Sequence, residues 1–258
     1  MKIIAAIKQV PERDAQVRID ASAKWIDESN LQFALNEPDA YALEEALLLK
    51  ERAAEGGEVV VVSAGPERAG SAIREALAKG ADRGIHIVCD DLGNRDALGV
   101  ARLLAAAIKP EQPDLVLTGL QSEDLGLGQT GVILAELLGV PHATLILQVE
   151  KTDGGVKVKR ELEEGWFQEI ELPLPAALTI QSGGNQLRYA TLMGIKRAKN
   201  KEVRSIAAAA LNADSAPTAV LERIALPTKQ KSTQMLSGSP KETAAALVEK
   251  LKFEARVL

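Results

Sequence analysis

Ligands for soft metals and redox chemistry are scarce in this chain: one cysteine and two histidines among 258 residues. A lone Cys89 excludes an internal disulfide, and two imidazoles cannot build a histidine-rich metal centre, so no metal site is expected. Cys89 ends an apolar, strand-like run, where an inert buried thiol is expected rather than a nucleophile. His86 in the same run and His142 beside Pro141 read as structural, and no Ser–His–Asp arrangement can be assembled. Long apolar runs are also missing, and none approaches the span of a bilayer, so no membrane insertion is expected. The opening MKIIAAIK carries only Ile3 to Ile7 before Lys8 interrupts it. That is too short for the apolar core of a signal peptide, reads better as a first strand, and points to a cytoplasmic protein. Basic excess is absent, since 31 Lys and Arg against 36 Asp and Glu leave a net charge of −5. Phosphate neutralisation along a nucleic acid needs a basic face, so no nucleic-acid partner is expected. No Walker sequence exists either: Gly65 and Gly70 have its spacing, but Ser71-Ala72 stands where Lys and Ser or Thr are needed.

What remains is an ordinary globular composition, 46% apolar and 26% charged, long enough for one large or two modest domains. No internal repeat or low-complexity block interrupts it. Strand-like runs at Ile3–Ile7, Val59–Val62, Ile85–Val88 and Leu115–Leu117 alternate with helix-like segments. One helix begins at Asn36-Glu37-Pro38-Asp39 and ends before Gly56-Gly57; another runs from Glu67 to Lys79 against Gly80. A third is capped by Asn94 and runs to Ile108, and a fourth covers Gln129 to Leu138 with Gly139 and Pro141 beyond. Alternating strands and helices imply an α/β fold, a doubly wound, mostly parallel sheet with helices on both faces.

After Ala143 the rhythm changes. Thr144–Thr152, Asp153-Gly154-Gly155 and Val156–Leu162 read as an added antiparallel hairpin, continued by Phe167, Ile170 and Leu172. Ala176–Ile180 offers a strand returning to the main sheet. Ser182 to Gln186 is a loop leading into a basic stretch of Arg188, Lys196, Arg197, Lys199 and Lys201. Beyond an alanine-rich Ala207–Ala219, Lys229–Ser237 reads as extended. Ser239-Pro240-Lys241-Glu242 is a capping box opening a last helix with Leu247, Val248 and Leu251 on one face. Such an extended C-terminal arm has little core of its own and suits packing on a partner subunit. Three parts are therefore expected: an α/β domain over 1–182, a loop with a basic stretch over 183–199, and an arm over 200–258.

The stretch from Asp114 to Thr144 organises the rest. A short strand, a loop with Gly119, Asp124, Gly126 and Gly128, and a helix starting at Gln129-Thr130 would present free N–H groups and a positive helix end to a phosphate. Gly126-Leu127-Gly128-Gln129-Thr130-Gly131 matches the dinucleotide fingerprint literally. Its context is wrong, because seven residues separate it from Thr118 and the unit is about the fourth strand, not the first. Spacing alone leaves a phosphate site and an ordinary surface loop equally open.

Several segments in order change that balance: Ile7-Lys8-Gln9-Val10-Pro11, Asn36 with Ala42-Leu43-Glu44-Glu45-Ala46, Ser63-Ala64-Gly65-Pro66, and Ala76 to Gly84. Asp114 to Gly119 with Gln129-Thr130-Gly131, then Arg188-Tyr189-Ala190-Thr191-Leu192 followed by Ala198-Lys199, complete the set. With these the chain resembles the beta subunit of electron transfer flavoprotein from Ile3 to about Lys201. The resemblance implies an adenine nucleotide alpha hydrolase-like fold and a heterodimer whose alpha subunit holds FAD. It implies no bond chemistry in this chain, which would bind a structural AMP. Matched residue by residue, AMP contacts fall on Ala6, Asn36, Glu37, Pro38, Asp39, Ala64, Gly119, Gln121, Asp124, Gly126, Gly128, Gln129 and Thr130.

Gly128 replaces the Asn that usually precedes Gln-Thr-Gly, and Asn36-Glu37-Pro38 stands where the family has Asn-Pro-Phe, leaving backbone donors to carry the phosphate. Thr130, where electron-bifurcating members have Val, favours AMP over a second FAD. Leu192 matches the leucine that anchors the family's recognition loop in partner dehydrogenases, with Arg188 and Tyr189 beside it; Met193-Gly194 replaces the usual Pro-Asn. Glu161 matches a glutamate near the partner's flavin. The partners implied are the alpha subunit, acyl-CoA or other flavin dehydrogenases of fatty acid beta-oxidation, and electron transfer flavoprotein-quinone oxidoreductase. The rival readings are a bifurcating subunit that holds a second FAD and uses NADH, and a stand-alone adenine-nucleotide sensor.

Overall fold

The computed structural model describes residues 1–53, 56–213, 216–227 and 233–258. They form two compact units, Met1–Ile224 and Ala225–Leu258. In the first unit, strands β1 (Lys2–Ala6), β4 (Glu58–Gly65), β5 (Arg83–Val88) and β6 (Leu115–Gly119) alternate with helices α1 (Glu37–Arg52), α2 (Gly70–Lys79), α3 (Ala97–Ile108) and α4 (Thr130–Leu138). Strands β2 (Gln9–Pro11) and β3 (Phe33–Leu35) form a small antiparallel ladder of their own. The residues between them hold one isolated bridge, Ile19 to Ile26. Next come β7 (His142–Lys151), β8 (Gly155–Glu161), β9 (Phe167–Pro173), β10 (Ala176–Ile180), the short helix α5 (Leu192–Ala198) and β11 (Val203–Ala207).

The main sheet has nine strands in the order β11-β5-β4-β1-β6-β10-β7-β8-β9. All neighbours from β11 to β7 are parallel, while β8 and β9 are antiparallel. The sheet is doubly wound, as alternation along β1 shows. Ile3 and Ala5 pack with α1 and α2 on one face; Ile4 and Ala6 pack with α3 and α4 on the other. Val59 to Val62 is apolar without a break because both its faces are covered, and each of the four is fully buried. Each contributes on the order of 1.5–3 kcal/mol relative to an exposed side chain.

The expected hairpin exists, yet it is continuous with the main sheet, because β10 returns to lie between β6 and β7. The sequence missed β11, which pairs with β5 from Val203↔Gly84 to Ala207↔Val88. Asn94 is not the cap of α3. It sits in a preceding turn, and the Asp96 carboxylate accepts the Gly99 N–H at 2.8 Å. Hydrogen bonds from the Thr218 hydroxyl and from the Gly99, Thr218 and Ala219 amides hold that carboxyl well below the usual range. In the second unit the capping box forms as expected. Ser239 Oγ accepts from the Glu242 amide, the Glu242 carboxylate accepts the Ser239 N–H at 2.8 Å, and α6 (Pro240–Glu249) follows. Of the segment expected to be extended, 229–232 lies outside the described residues and 233–237 is irregular.

Candidate functional site

Three chain segments meet at the C-terminal edge of the parallel strands. Ala6 ends β1, level with Val62 of β4 and Thr118 of β6. Lys8 follows one turn of chain later, and α1 starts just beyond β3. The Asp39 carboxylate joins them: it accepts the Lys8 amide at 2.7 Å and the Gly119 amide at 2.9 Å. Burial is the dominant influence on Asp39 and pushes its carboxyl up to about 6, against the opposing pull of these two amides, Asn36 and the Lys8 charge. Gly119 is required here by contact, since a Cβ would lie 2.7 Å from the backbone of both Pro38 and Asp39.

Asn36 occupies the N-cap position of α1 but makes no cap hydrogen bond. Its side chain reaches the glycine-containing loop instead: Nδ2 donates to the Gln121 carbonyl at 3.1 Å, and Oδ1 accepts the Glu123 amide at 3.0 Å. At 1% exposure it is a buried amide with both ends used. Lys8 Nζ reaches Asp124 at 2.6 Å. Burial pushes the Asp124 carboxyl up, but the Lys8 charge and hydrogen bonds outweigh it and leave it below its ordinary value. Arg13 adds an outer tie, pairing with Glu37 at the start of α1 and with Glu123 at 2.6 Å.

The far half of the loop is shaped for close backbone approach. Gly126 and Gly128 both have φ of +62°, the left-handed region that glycine enters freely. The leading N–H groups of α4 have no intrahelical acceptor, as in any helix, and the N-cap Gln129 side chain supplies none. Gly131 lets that turn sit close on the sheet, because a Cβ there would meet Thr118 Oγ1 at 2.5 Å and Thr179 Cγ2 at 2.7 Å. Thr179 Oγ1 is buried beneath the turn without a hydrogen-bond partner. An uncapped helix start over two positive-φ glycines is an arrangement that accepts an anion.

Asn36, Asp39, Gly119, Gln121 and Asp124 are therefore linked directly or through Lys8 and Glu123. Glu37 and Pro38 open α1 beside them, and Gly126 to Thr130 close the loop. Ala64 lies one residue short of the end of β4. Lys8, Arg13 and Glu123 were missed as members of this cluster, since their bonds span 24 to 116 residues. A cavity of about 590 Å³ lined by Glu45, Arg52, Lys151, Lys159 and Asn185 lies between α1 and the hairpin, and none of the expected nucleotide contacts lines it.

The other expected residues stand elsewhere. Leu192 opens α5 at 86% exposure and Tyr189 is 92% exposed, with Met193 and Ile195 also in solvent. Arg188 faces inward, its guanidinium bonded to Glu44 and Glu51 of α1. Glu161, at the end of β8, accepts a hydrogen bond from Gln181 at 3.2 Å, next to an exposed tip of Leu162, Trp166 and Phe167. His86 is buried with Nε2 3.2 Å from the Gly65 carbonyl, and burial foremost, then the adjacent Asp91, pushes the Cys89 thiol up. Both fit the structural roles read from sequence. Among the described residues, no group of three or more His, Cys, Asp or Glu side chains is placed to hold a metal, and no helix is long and apolar enough to cross a membrane.

Residues 24–211 match the family model described as "Electron transfer flavoprotein domain". The beta subunit of electron transfer flavoprotein from Methylophilus methylotrophus is 40% identical over 257 residues, covering 96% of this chain and 97% of that protein. The corresponding subunit of Bradyrhizobium diazoefficiens is 36% identical over the full length of both chains. The mitochondrial beta subunit of Oryza sativa subsp. japonica is 35% identical, again over the full length of both.

Proposed function

The chain belongs to the electron transfer flavoprotein family as a beta subunit, serving electron transfer rather than a catalysed bond change, and we propose that it holds AMP at the loop between β6 and α4. One observation carries this reading: the buried Asn36 and Asp39 side chains fasten the Gly119–Glu123 backbone to the start of α1. They leave the uncapped first turn of α4 open toward solvent as the anion-binding end. Backbone N–H groups of Gly128 to Gly131 would carry the phosphate, with the Gln129 and Thr130 side chains beside them. Every cation that this cluster brings to the loop is already matched by acid, Lys8 by Asp124 and Arg13 by Glu37 and Glu123. That balance suits one phosphate bound by amides, and the nucleotide's task is structural.

FAD, in this reading, is held mainly by an alpha subunit, and Glu161 lies near it, its carboxylate oriented by Gln181. Leu192 and Tyr189 dock acyl-CoA or other flavin dehydrogenases in the cytoplasm, and electrons leave toward a quinone oxidoreductase. Arg188 contributes from behind by holding the docking segment on α1. The deciding experiment is co-expression with the alpha subunit, heat release of the bound small molecules, and their identification. AMP and FAD in equal amounts support the proposal. Two FAD per heterodimer would make this a bifurcating subunit, and ATP on a chain stable alone would make it a sensor; either result overturns the AMP reading.

A further inference from the structure

The segment that carries Leu192 has no regular structure between β10 and α5, yet it is fastened at both ends. On its N-terminal side, Asn185 Nδ2 donates to the Tyr41 carbonyl at 3.3 Å and to Glu45 at 3.1 Å. The Arg188 guanidinium donates to Glu44 at 2.9 and 3.0 Å and to Glu51 at 2.6 Å, and the Arg188 backbone N–H reaches Glu44 at 3.2 Å. On its C-terminal side, the Thr191 hydroxyl caps α5 through the Gly194 amide, and Gly194 lies so close to α2 that a Cβ would meet the Ala78 carbonyl at 2.2 Å. Arg74 of α2 donates to the Ala198 carbonyl at 2.7 Å, and Lys201 Nζ to that of Leu77 at 3.1 Å. Between these fastenings the side chains of Tyr189, Leu192, Met193 and Ile195 are in solvent.

Glu44 is the unusual member. It sits on the inner face of α1 at 4% exposure, where an apolar residue would serve the core. Its charge is answered by Arg188, 144 residues away. A forked guanidinium gripped by two carboxylates fixes direction as well as position, which a lysine at the same place would not. Ordering a loop before binding removes that ordering cost from the encounter.

We infer that Glu44 and Glu51 act through Arg188 as positioning residues that hold the Tyr189–Ile195 segment ready for its redox partner, an inference that rests on the docking reading above. The test uses the heterodimer carrying Glu44→Gln with Glu51→Gln, alongside Arg188→Lys and Leu192→Ala. Amide hydrogen exchange reports the segment directly, and electron acceptance from a reduced acyl-CoA dehydrogenase reports docking. The paired Gln variant is expected to speed exchange across Leu187–Ile195 by about tenfold or more while the sheet keeps its protection. KM for the dehydrogenase rises by a similar factor, with kcat and flavin content unchanged; Arg188→Lys gives a smaller effect of the same kind.

Unchanged exchange in the paired variant overturns the inference whatever the kinetics show. Exchange that quickens equally throughout α1 and the sheet also overturns it, since the cluster would then support the fold in general. Leu192→Ala separates the two readings. If it leaves KM unaltered, the docking reading falls and the positioning inference with it. If it raises KM while the paired variant does not, docking stands and only the positioning inference falls.

Discussion

The Asp39 carboxylate accepts the Gly119 N–H at 2.9 Å, and a Cβ on residue 119 would stand 2.5 Å from that same oxygen. Bond and close approach thus depend on one another at the point where β6 ends and α1 begins.

Gly119→Ala should therefore force apart the ends of β1, β6 and α1. A loss of about 1–3 kcal/mol is expected, as for other overpacked sites. Chemical denaturation with nucleotide analysis of the purified heterodimer checks this. Wild-type stability together with full nucleotide content would contradict the geometry.

Asp39 also predicts a pH dependence. Its folded value of about 6 lies above its ordinary 3.8, so burial favours the neutral form. The stability this group contributes is full below the unfolded value and is lost as pH rises through 6. Against Asp39→Asn, the wild-type protein should thus lose about 2 kcal/mol of relative stability between pH 4 and pH 7. Urea titrations across that interval measure it; a constant gap would show that Asp39 is not desolvated.

Asn36→Ala removes both side-chain bonds to the loop and leaves the Gln121 carbonyl and Glu123 amide to find water. A cost of about 1–3 kcal/mol follows, together with faster nucleotide release. Dialysis of the heterodimer followed by nucleotide quantitation reads the second effect. Retention equal to wild type would mean that the loop is held by other bonds.

Leu192→Ala alters an 86% exposed side chain and should leave the melting temperature within about 1 °C of wild type. Electron acceptance from a dehydrogenase should nevertheless fall about tenfold or more, as for an anchor residue seated in a pocket. Stopped-flow reduction of the bound flavin measures the rate.

Glu111 lies at the opposite edge of the sheet, 2.6 Å from Arg83 and 2.9 Å from Arg204, with Lys2 at 3.8 Å. The Arg83 hydrogen bond is the main influence holding its carboxyl below the ordinary 4.5, with Arg204 and Lys2 adding to it against burial. A lowered folded value contributes stability above 4.5 that is lost as pH falls through the folded value. Glu111→Gln should cost about 2 kcal/mol at pH 7 and progressively less in acid. A difference that grows on acidification would reverse the sign and refute the pairing.

Much of this fold could be read from local pattern. Val59–Val62 could only be a strand covered on both sides, and Gly80 and Gly139 end their helices where expected. Failures came where tertiary pairing decides. Strand β11 is short, partly exposed and embedded in a basic stretch, so neither period nor burial marks Val203–Ala207. Asp96 rather than Asn94 caps α3, because the cap is set by reach to Gly99 and not by residue type alone. At the candidate site the glycines and Asn36 were legible as turn and helix-start residues. Their ties to Lys8, Glu123 and Asp124 were not, because nothing in a linear sequence brings residues 8 and 124 to 2.6 Å.

The position of β10 bears on how the chain is assembled during synthesis. Strands β1, β4, β5 and β6 become contiguous neighbours as each emerges from the ribosome. Strand β7, however, has no place in that sheet until Ala176–Ile180 has been made to fill the gap beside β6. From the end of β7 at Lys151 to the end of β10 at Ile180 about thirty further residues must be made, roughly two to six seconds at ordinary translation speeds, and meanwhile β7, β8 and β9 can pair only with one another. Chains truncated before Ala176 should thus carry a four-stranded core with the ribbon undocked.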